Sequence, residues 1–142
     1  MESQQTASTP TAEENTNLAR SVYDAFFQGD LDAMLDLYTD DIDWEVYGPS
    51  TIPTAGPHKG KEEVRAFFGK VNDLLESEKF EVQQYVSQGN TVVALGEYTW
   101  RSKVTNRMLD AHFVHVMTIS NGKIASFREY TDTAAAIEAM VA

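Results

Sequence analysis

The sequence predicts an α+β fold, on three observations. Apolar residues recur at helical spacing in the first half, with Leu18, Val22 and Phe26 each four apart. From Phe80 onward the period falls to two, in four segments separated by turn sequences. The chain has 142 residues, 42% of them hydrophobic and 11% aromatic, enough for one domain with a substantial core but not two. Helices followed by a run of antiparallel strands form separate layers. The expected architecture is a cone-shaped, curved antiparallel sheet wrapped around three N-terminal helices, with a short C-terminal helix and a cavity between the layers.

Residues 1–16, rich in Ser, Thr, Gln and Glu, read as a disordered tail, without the basic start and apolar block of a signal peptide. The folded domain is expected over 17–142. A first helix starts at Asn17 and stops at Gly29, and Asp30 is placed to cap a second helix with Leu31, Met34, Leu35 and Tyr38 on one face. A short strand over 42–47 precedes a Pro/Gly-rich loop over 48–60. The third helix opens near Lys61 with Glu62 and Glu63 in its first turn, where negative charge suits the helix dipole, and buries Val64, Phe67, Phe68 and Val71. Strands follow over 80–87, 92–101, 109–119 and 124–131, then an Ala-rich helix over 133–141 capped by Thr131 or Asp132. No internal repeat is evident.

Composition narrows the chemistry. Twenty-two acids against 11 bases give a net charge of -11, which argues against nucleic acid or an anionic membrane as partner. No apolar run approaches the roughly 20 residues that span a bilayer, and a cytoplasmic location is the default expectation. The absence of cysteine removes disulfides, thiolate nucleophiles and cysteine-ligated metal centres. His112 and His115 are three apart in a strand, so they face opposite sides and cannot share an ion. The cluster Asp40, Asp41 and Asp43 lacks calcium-loop spacing, so no metal and no cofactor is expected. Neither a phosphate loop nor a nucleophile elbow is present.

Three blocks carry a resemblance. Gly29-Asp30-Leu31-Asp32 with the run from Leu37 to Trp44 resembles the start of the nuclear transport factor 2-like superfamily. Gly48-Pro49-Ser50, Gly56 and Gly60-Lys61-Glu62-Glu63-Val64 with Phe67-Phe68 are similar to its SnoaL-like, ketosteroid isomerase-related branch. Phe113-Val114-His115-Val116, Asn121-Gly122-Lys123-Ile124 and Glu129 through Ala135 match best. The resemblance spans about residues 17–141 and implies a cystatin-like α+β fold with a deep apolar pocket, and a homodimer. That dimer would use the outer sheet face, with Tyr85, Tyr98, Val114 and Val116 as possible contributors. In SnoaL-like cyclases a strand His and an acid fourteen positions later form the catalytic pair. By resemblance these are His115 and Glu129, the latter one methylene longer than the family's usual Asp.

Hairpin geometry bears on that pair. A two-residue turn at Asn121-Gly122 pairs His115 with Arg128 and sends Glu129 to the other face. A three-residue turn with a bulge pairs His115 with Phe127 and keeps His115 and Glu129 on one face. The residues suit either turn. A carboxyl buried in an apolar pocket has its pKa raised from about 4.3 toward neutrality and becomes a usable base. A neighbouring imidazole could donate to a developing oxyanion. The competing reading makes His115 a hydrogen-bonded core residue and Glu129 a solvated one.

The remaining site candidates are Glu97, as a second inward acid or a surface partner of Arg101 or Lys103, and His58, in a loop that could cover the pocket mouth. Tyr23, Tyr38, Trp44 and Trp100 are candidate walls offering a polar tip, with Phe113 beside His115. Asp110 is expected at the surface and Asp132 as a helix cap.

The ketosteroid isomerase positions fall on Val22, Val46 and His115, none of them the enzyme's residue, which disfavours steroid isomerisation. The epoxide hydrolase pattern fails on the spacing of Arg107 and Asp110. Three functions stay open: a cofactor-independent isomerase, cyclase or lyase of a small apolar carbonyl compound, a non-catalytic binder of a small hydrophobic ligand, or a dimeric scaffold.

Overall fold

A computed structural model describes residues 10–142. Among the described residues four helices, α1 (Ala12–Phe27), α2 (Leu31–Leu35), α3 (Gly60–Leu74) and α4 (Thr133–Met140), accompany six strands. The strands are β1 (Tyr38–Val46), β2 (Gly56–Lys59), β3 (Leu75–Gln88), β4 (Thr91–Ser102), β5 (Met108–Ser120) and β6 (Lys123–Thr131). They form one curved sheet in the order β2-β1-β6-β5-β4-β3, antiparallel except for β1 beside β6. That parallel pair joins the two halves of the chain, because α3 and the long meander lie between its strands.

Helix α1 starts five residues earlier than its apolar period suggests. Thr11 accepts from the Glu14 backbone N–H at 3.1 Å while the Glu14 carboxylate accepts from the Thr11 N–H at 2.7 Å, a reciprocal capping box. Residues 12–16 therefore belong to the helix rather than to the tail, and Asn15 is buried, donating to the Gly89 carbonyl at 3.1 Å. The rest of the expected tail, residues 1–9, lies outside the described residues. Asp30 and Asp132 cap α2 and α4 through bonds to Ala33 and Ala135 at 3.0 Å.

The second helix is shorter than expected and β1 longer. Tyr38 opens β1 instead of closing a helix: it is buried opposite Ile124 of β6, set apart from the alternation Ile42-Trp44-Val46 by a register shift at the exposed Asp40 and Asp41. The loop over 48–60 contains β2, whose four residues pair with β1 from Val46↔Gly56 to Asp43↔Lys59.

Helices α1 and α3 cover the concave face. Extra residues in β3 shift its register with β4 between Ser77 and Lys79 and again between Val82 and Gln84, bulges of the kind that bend a long ribbon. At the bend, Gly96 leaves space that the Phe113 ring fills. Among the described residues no helix is long and apolar enough to cross a membrane.

Candidate functional site

Strand alternation sets which side chains of β5 face the helices. Phe113, His115 and Met117 are buried, whereas His112 is exposed on the opposite face, as its three-residue offset requires. The β5–β6 turn is the two-residue form, with Asn121 and Gly122 both at positive φ (53° and 76°) and Ser120 opposite Lys123. Taken alone, that register would pair His115 with Arg128. A bulge at Ala125 shifts it by one residue, so Thr118 faces Ser126 and His115 stands directly opposite Glu129. Neither turn expected from the sequence produces this pairing; the two-residue turn and the bulge produce it together.

The pair makes contact. His115 Nε2 lies 2.7 Å from Glu129 Oε1, and His115 Nδ1 lies 2.6 Å from Tyr23 Oη. A carboxylate only accepts, so, facing one, Nε2 carries hydrogen toward Glu129, and with a single ring hydrogen Nδ1 accepts from Tyr23. Both ring nitrogens are thus engaged, and His115 holds Glu129 in place.

On the other side Tyr98 Oη lies 3.2 Å from Glu129 Oε2 and 2.8 Å from Thr131 Oγ1, which donates to the His112 carbonyl at 2.9 Å. Tyr98 has one hydrogen, so the chain accommodates two arrangements. Facing an ionised Glu129, Tyr98 donates to the carboxylate. When Glu129 carries a proton, its hydroxyl donates to Tyr98, whose own hydrogen turns to Thr131. Each Glu129 oxygen keeps a hydrogen bond in both states, as a group that takes and returns a proton would require, while the Tyr98–Thr131 bond forms only in the second, since the Thr131 hydrogen is given to His112. Burial, with the Glu129 charge adding to it, holds the Tyr98 phenol well above the ordinary tyrosine value. Burial does the same for Tyr23.

A cavity of about 100 Å³ lies between the sheet and the helices, and His115 and Glu129 line it. Only 4% of the His115 side chain is exposed against 16% of Glu129, so the carboxylate is the member of the pair with surface to offer a ligand. Aromatic rings dominate the walls, Phe26, Phe67, Phe68, Phe80 and Phe127 among them. The volume compares with the roughly 150 Å³ apolar void that holds a benzene ring and falls below the ~300 Å³ of ordinary ligand clefts. It admits one end of a small molecule, not a steroid.

The cavity collects some of the candidate residues and leaves others out. Tyr23, Tyr38, Trp44 and Trp100 line it. Tyr38 Oη and Trp44 Nε1, however, are sealed from solvent without a hydrogen-bond partner among the described residues, so these two serve as walls and not as donors. Trp44 lies flat on Phe127, with ring centres 3.8 Å apart. Phe113 stands behind the site, its ring 4.3 Å from that of His115, and does not line the cavity.

Glu97 is not an inward acid. It lies on the outer face, bonded to Lys79 at 2.8 Å, because Ala94, Gly96 and Tyr98 take the inward positions of β4. The Lys79 ammonium, and then Gln83, hold its carboxyl below the usual range. His58 is no lid either. It sits in β2 opposite Trp44 with its ring 5.0 Å from Phe67, and burial pushes its pKa down. Asp43 bridges Lys59 at 2.7 Å and Arg128 at 2.8 Å on the outer face. Asp110 is exposed, as expected. Among the described residues no cluster of three or more His, Asp or Glu is placed to hold a metal.

Sequence reasoning missed Tyr98 and Thr131. Alternation of Ala94-Gly96-Tyr98 against Val93-Leu95-Glu97 separates the two faces, but Val93 and Leu95 are as apolar as the inner set, so the pattern alone does not say which face is in.

Comparison with known proteins agrees with the fold. The SnoaL-like domain family matches residues 19–127. An NTF2-like protein from Burkholderia xenovorans is 32% identical, with a TM-score of 0.84 over 92% of this chain and 98% of its own. One from Burkholderia pseudomallei is 28% identical, with a TM-score of 0.84 over 91% and 98%. A candidate SnoaL-like polyketide cyclase from Mesorhizobium loti shares the fold at 23% identity, with a TM-score of 0.67 over 81% and 97%. No curated protein matches the sequence. With the family match covering most of the chain, the protein belongs to the SnoaL-like family of the NTF2-like superfamily.

Proposed function

We propose that the protein is a cofactor-independent isomerase, cyclase or lyase that abstracts a proton next to a carbonyl in a small hydrophobic substrate. The observation that carries this reading is the Glu129 carboxylate on the cavity wall, held at 2.7 Å by His115 and provided with hydrogen bonds in both of its protonation states. Glu129 is the base. It takes the α-proton, the electron pair of that C–H bond delocalises into the carbonyl as an enolate, and the acid so formed returns the proton to the product. An isomerase returns it to a different carbon; in a cyclase the enolate carbon first attacks a second carbonyl. His115 positions the carboxylate and Tyr23 fixes the tautomer of His115. The apolar walls strengthen each of these interactions by excluding water.

The test is deuterium exchange into the α-carbon of a small ketone such as butanone, followed by NMR. Wild-type protein should accelerate exchange, and Glu129→Gln should lose about 100-fold or more of that acceleration. Equal rates in the two proteins would sink the reading. A second function keeps support from the walls: because the surface that lines it is mostly apolar, the cavity also suits a non-catalytic binder of a small hydrophobic ligand. That reading predicts saturable ketone binding with no exchange.

A further inference from the structure

We propose that the substrate is elongated: its carbonyl end enters the cavity, and its apolar body continues along a surface groove to an anionic end beside Lys103. This rests on the carbonyl chemistry above and extends it to the part of the substrate that does not react. The groove, of about 740 Å³, runs between the α1–α2 turn and the outer part of α3. It shares Phe26, Met34, Phe68, Val71, Leu75 and Trp100 with the cavity, so the two spaces are neighbours with these six side chains at their common boundary. The inner compartment is several times smaller than the outer one, so a ligand confined to it would leave the larger apolar surface wet.

Gly69 supplies an independent observation. It lies in the interior of α3 and lines the groove, yet a Cβ built there meets nothing within 4 Å. A glycine inside a helix costs stability relative to alanine, and here neither packing nor a positive φ asks for one. What its missing side chain does is keep the groove open.

The rim carries Asp30, Arg65, Glu76 and Lys103. Three of these are already satisfied: Asp30 caps α2, Arg65 pairs with Asp32 at 2.8 Å, and Glu76 pairs with Arg101. Lys103 donates to the Asn72 carbonyl, in the last turn of α3, at 2.6 Å and forms no salt bridge among the described residues. On a chain of net charge -11, an anionic ligand needs a local cation, and Lys103, held at the last turn of α3, is the rim cation without a carboxylate partner.

The two tryptophans, Trp44 and Trp100, both line the cavity, so their fluorescence reports occupancy directly. Three probes separate the compartments: butanone, a medium-chain unbranched methyl ketone, and the same chain ending in a carboxylate. Wild-type protein should bind the neutral long ketone roughly tenfold more tightly than butanone, and the keto acid several-fold more tightly again. Gly69→Phe should weaken both long probes roughly tenfold and leave butanone unchanged. Gly69→Leu gives the same ordering should the larger residue unfold the protein. Lys103→Met should abolish the advantage of the acid over the neutral chain, and Lys103→Arg should keep it. Long probes binding no better than butanone, a Gly69 effect equal for all three, or an acid advantage that survives Lys103→Met would each overturn the proposal. Binding needs no proton transfer, so the two readings fail separately. Groove effects without α-exchange would remove the base and keep the groove, and exchange of butanone without groove effects would do the reverse.

Discussion

At Gly96 the absence of a side chain decides the position of several others. A Cβ there would run into the Glu81 carbonyl oxygen and the Phe113 ring, whose nearest atom would lie 2.6 Å away. Phe113 in turn stacks on His115 and Tyr98, with ring centres 4.3 and 5.1 Å away. Gly96→Ala should therefore destabilise the fold by about 1–3 kcal/mol, as overpacking does, and displace His115 from Glu129. Chemical denaturation gives the first quantity, and the ring nitrogen shifts of His115 by NMR report the second. Unchanged stability would mean that Phe113 can yield at no cost. The role of Gly96 is invisible in the sequence, where a glycine inside a strand signals only a bulge or a close approach. His115, by contrast, stood out as a polar residue in a stretch otherwise built of Phe, Val, Met, Thr and Ile, and Glu129 followed from its spacing to His115 in the resemblance. Glu97 carried the same signal and lies on the outside, since polarity within a strand does not choose a face.

Elements were legible where a period runs long and uninterrupted. The meander from Phe80 to Thr131 and the stripe of α3 follow directly from alternation and from four-residue recurrence. Short or irregular pieces were not. Strand β2 has four residues, a glycine and a proline among them, and exists because β1 offers it an edge. Its attachment has a charged component. Asp43 on β1 holds Lys59 of β2 and Arg128 of β6, so one carboxylate spans three strands. The Lys59 ammonium and the Arg128 guanidinium lower its pKa below the ordinary value. A lowered carboxyl pKa contributes stability that is present above the unfolded-state value of about 4 and is lost as pH falls through the folded one. Thermal unfolding of Asp43→Asn should accordingly come at a lower temperature than wild type near neutral pH, with the difference closing as pH falls below about 4. High salt should shrink it too, since the groups are partly exposed. A difference that persists in acid would assign the loss to geometry rather than charge.

On the molecular scale the curved sheet has two faces with different tasks. The concave one carries the cavity. The convex one carries a band of Val86, Val93, Leu95, Val114, Val116 and Tyr130, placed side by side by the register of β3 to β6. We propose that a second copy of the chain covers this band, as the family resemblance implies. Tyr85 and Tyr98, which the sequence also offered for that surface, point the other way: Tyr98 lines the cavity and Tyr85 packs beneath α1, its ring 6.3 Å from that of Tyr23. Sedimentation should give twice the 15.8 kDa chain mass, and replacing Val114 and Val116 with Glu should return the single-chain value. A wild-type monomer at micromolar concentration would refute the pairing. The family's overall shape was readable because it depends on the order of elements; the assignment of side chains to faces was not, because both faces of β4 are apolar.

The bulge at Ala125 has a consequence for heredity. The partnership of His115 with Glu129 is written in the bulge between them, not only in their identities. Straightening that bulge with Ala125 still in the strand would match His115 with Arg128, whereas deleting Ala125 would remove the bulge and keep Glu129 opposite His115. A change of length in this hairpin that no bulge absorbs can therefore switch the site off, or create it, without touching an ionisable residue. Relatives aligned without a gap through the turn would be credited with, or denied, a base they do not or do possess.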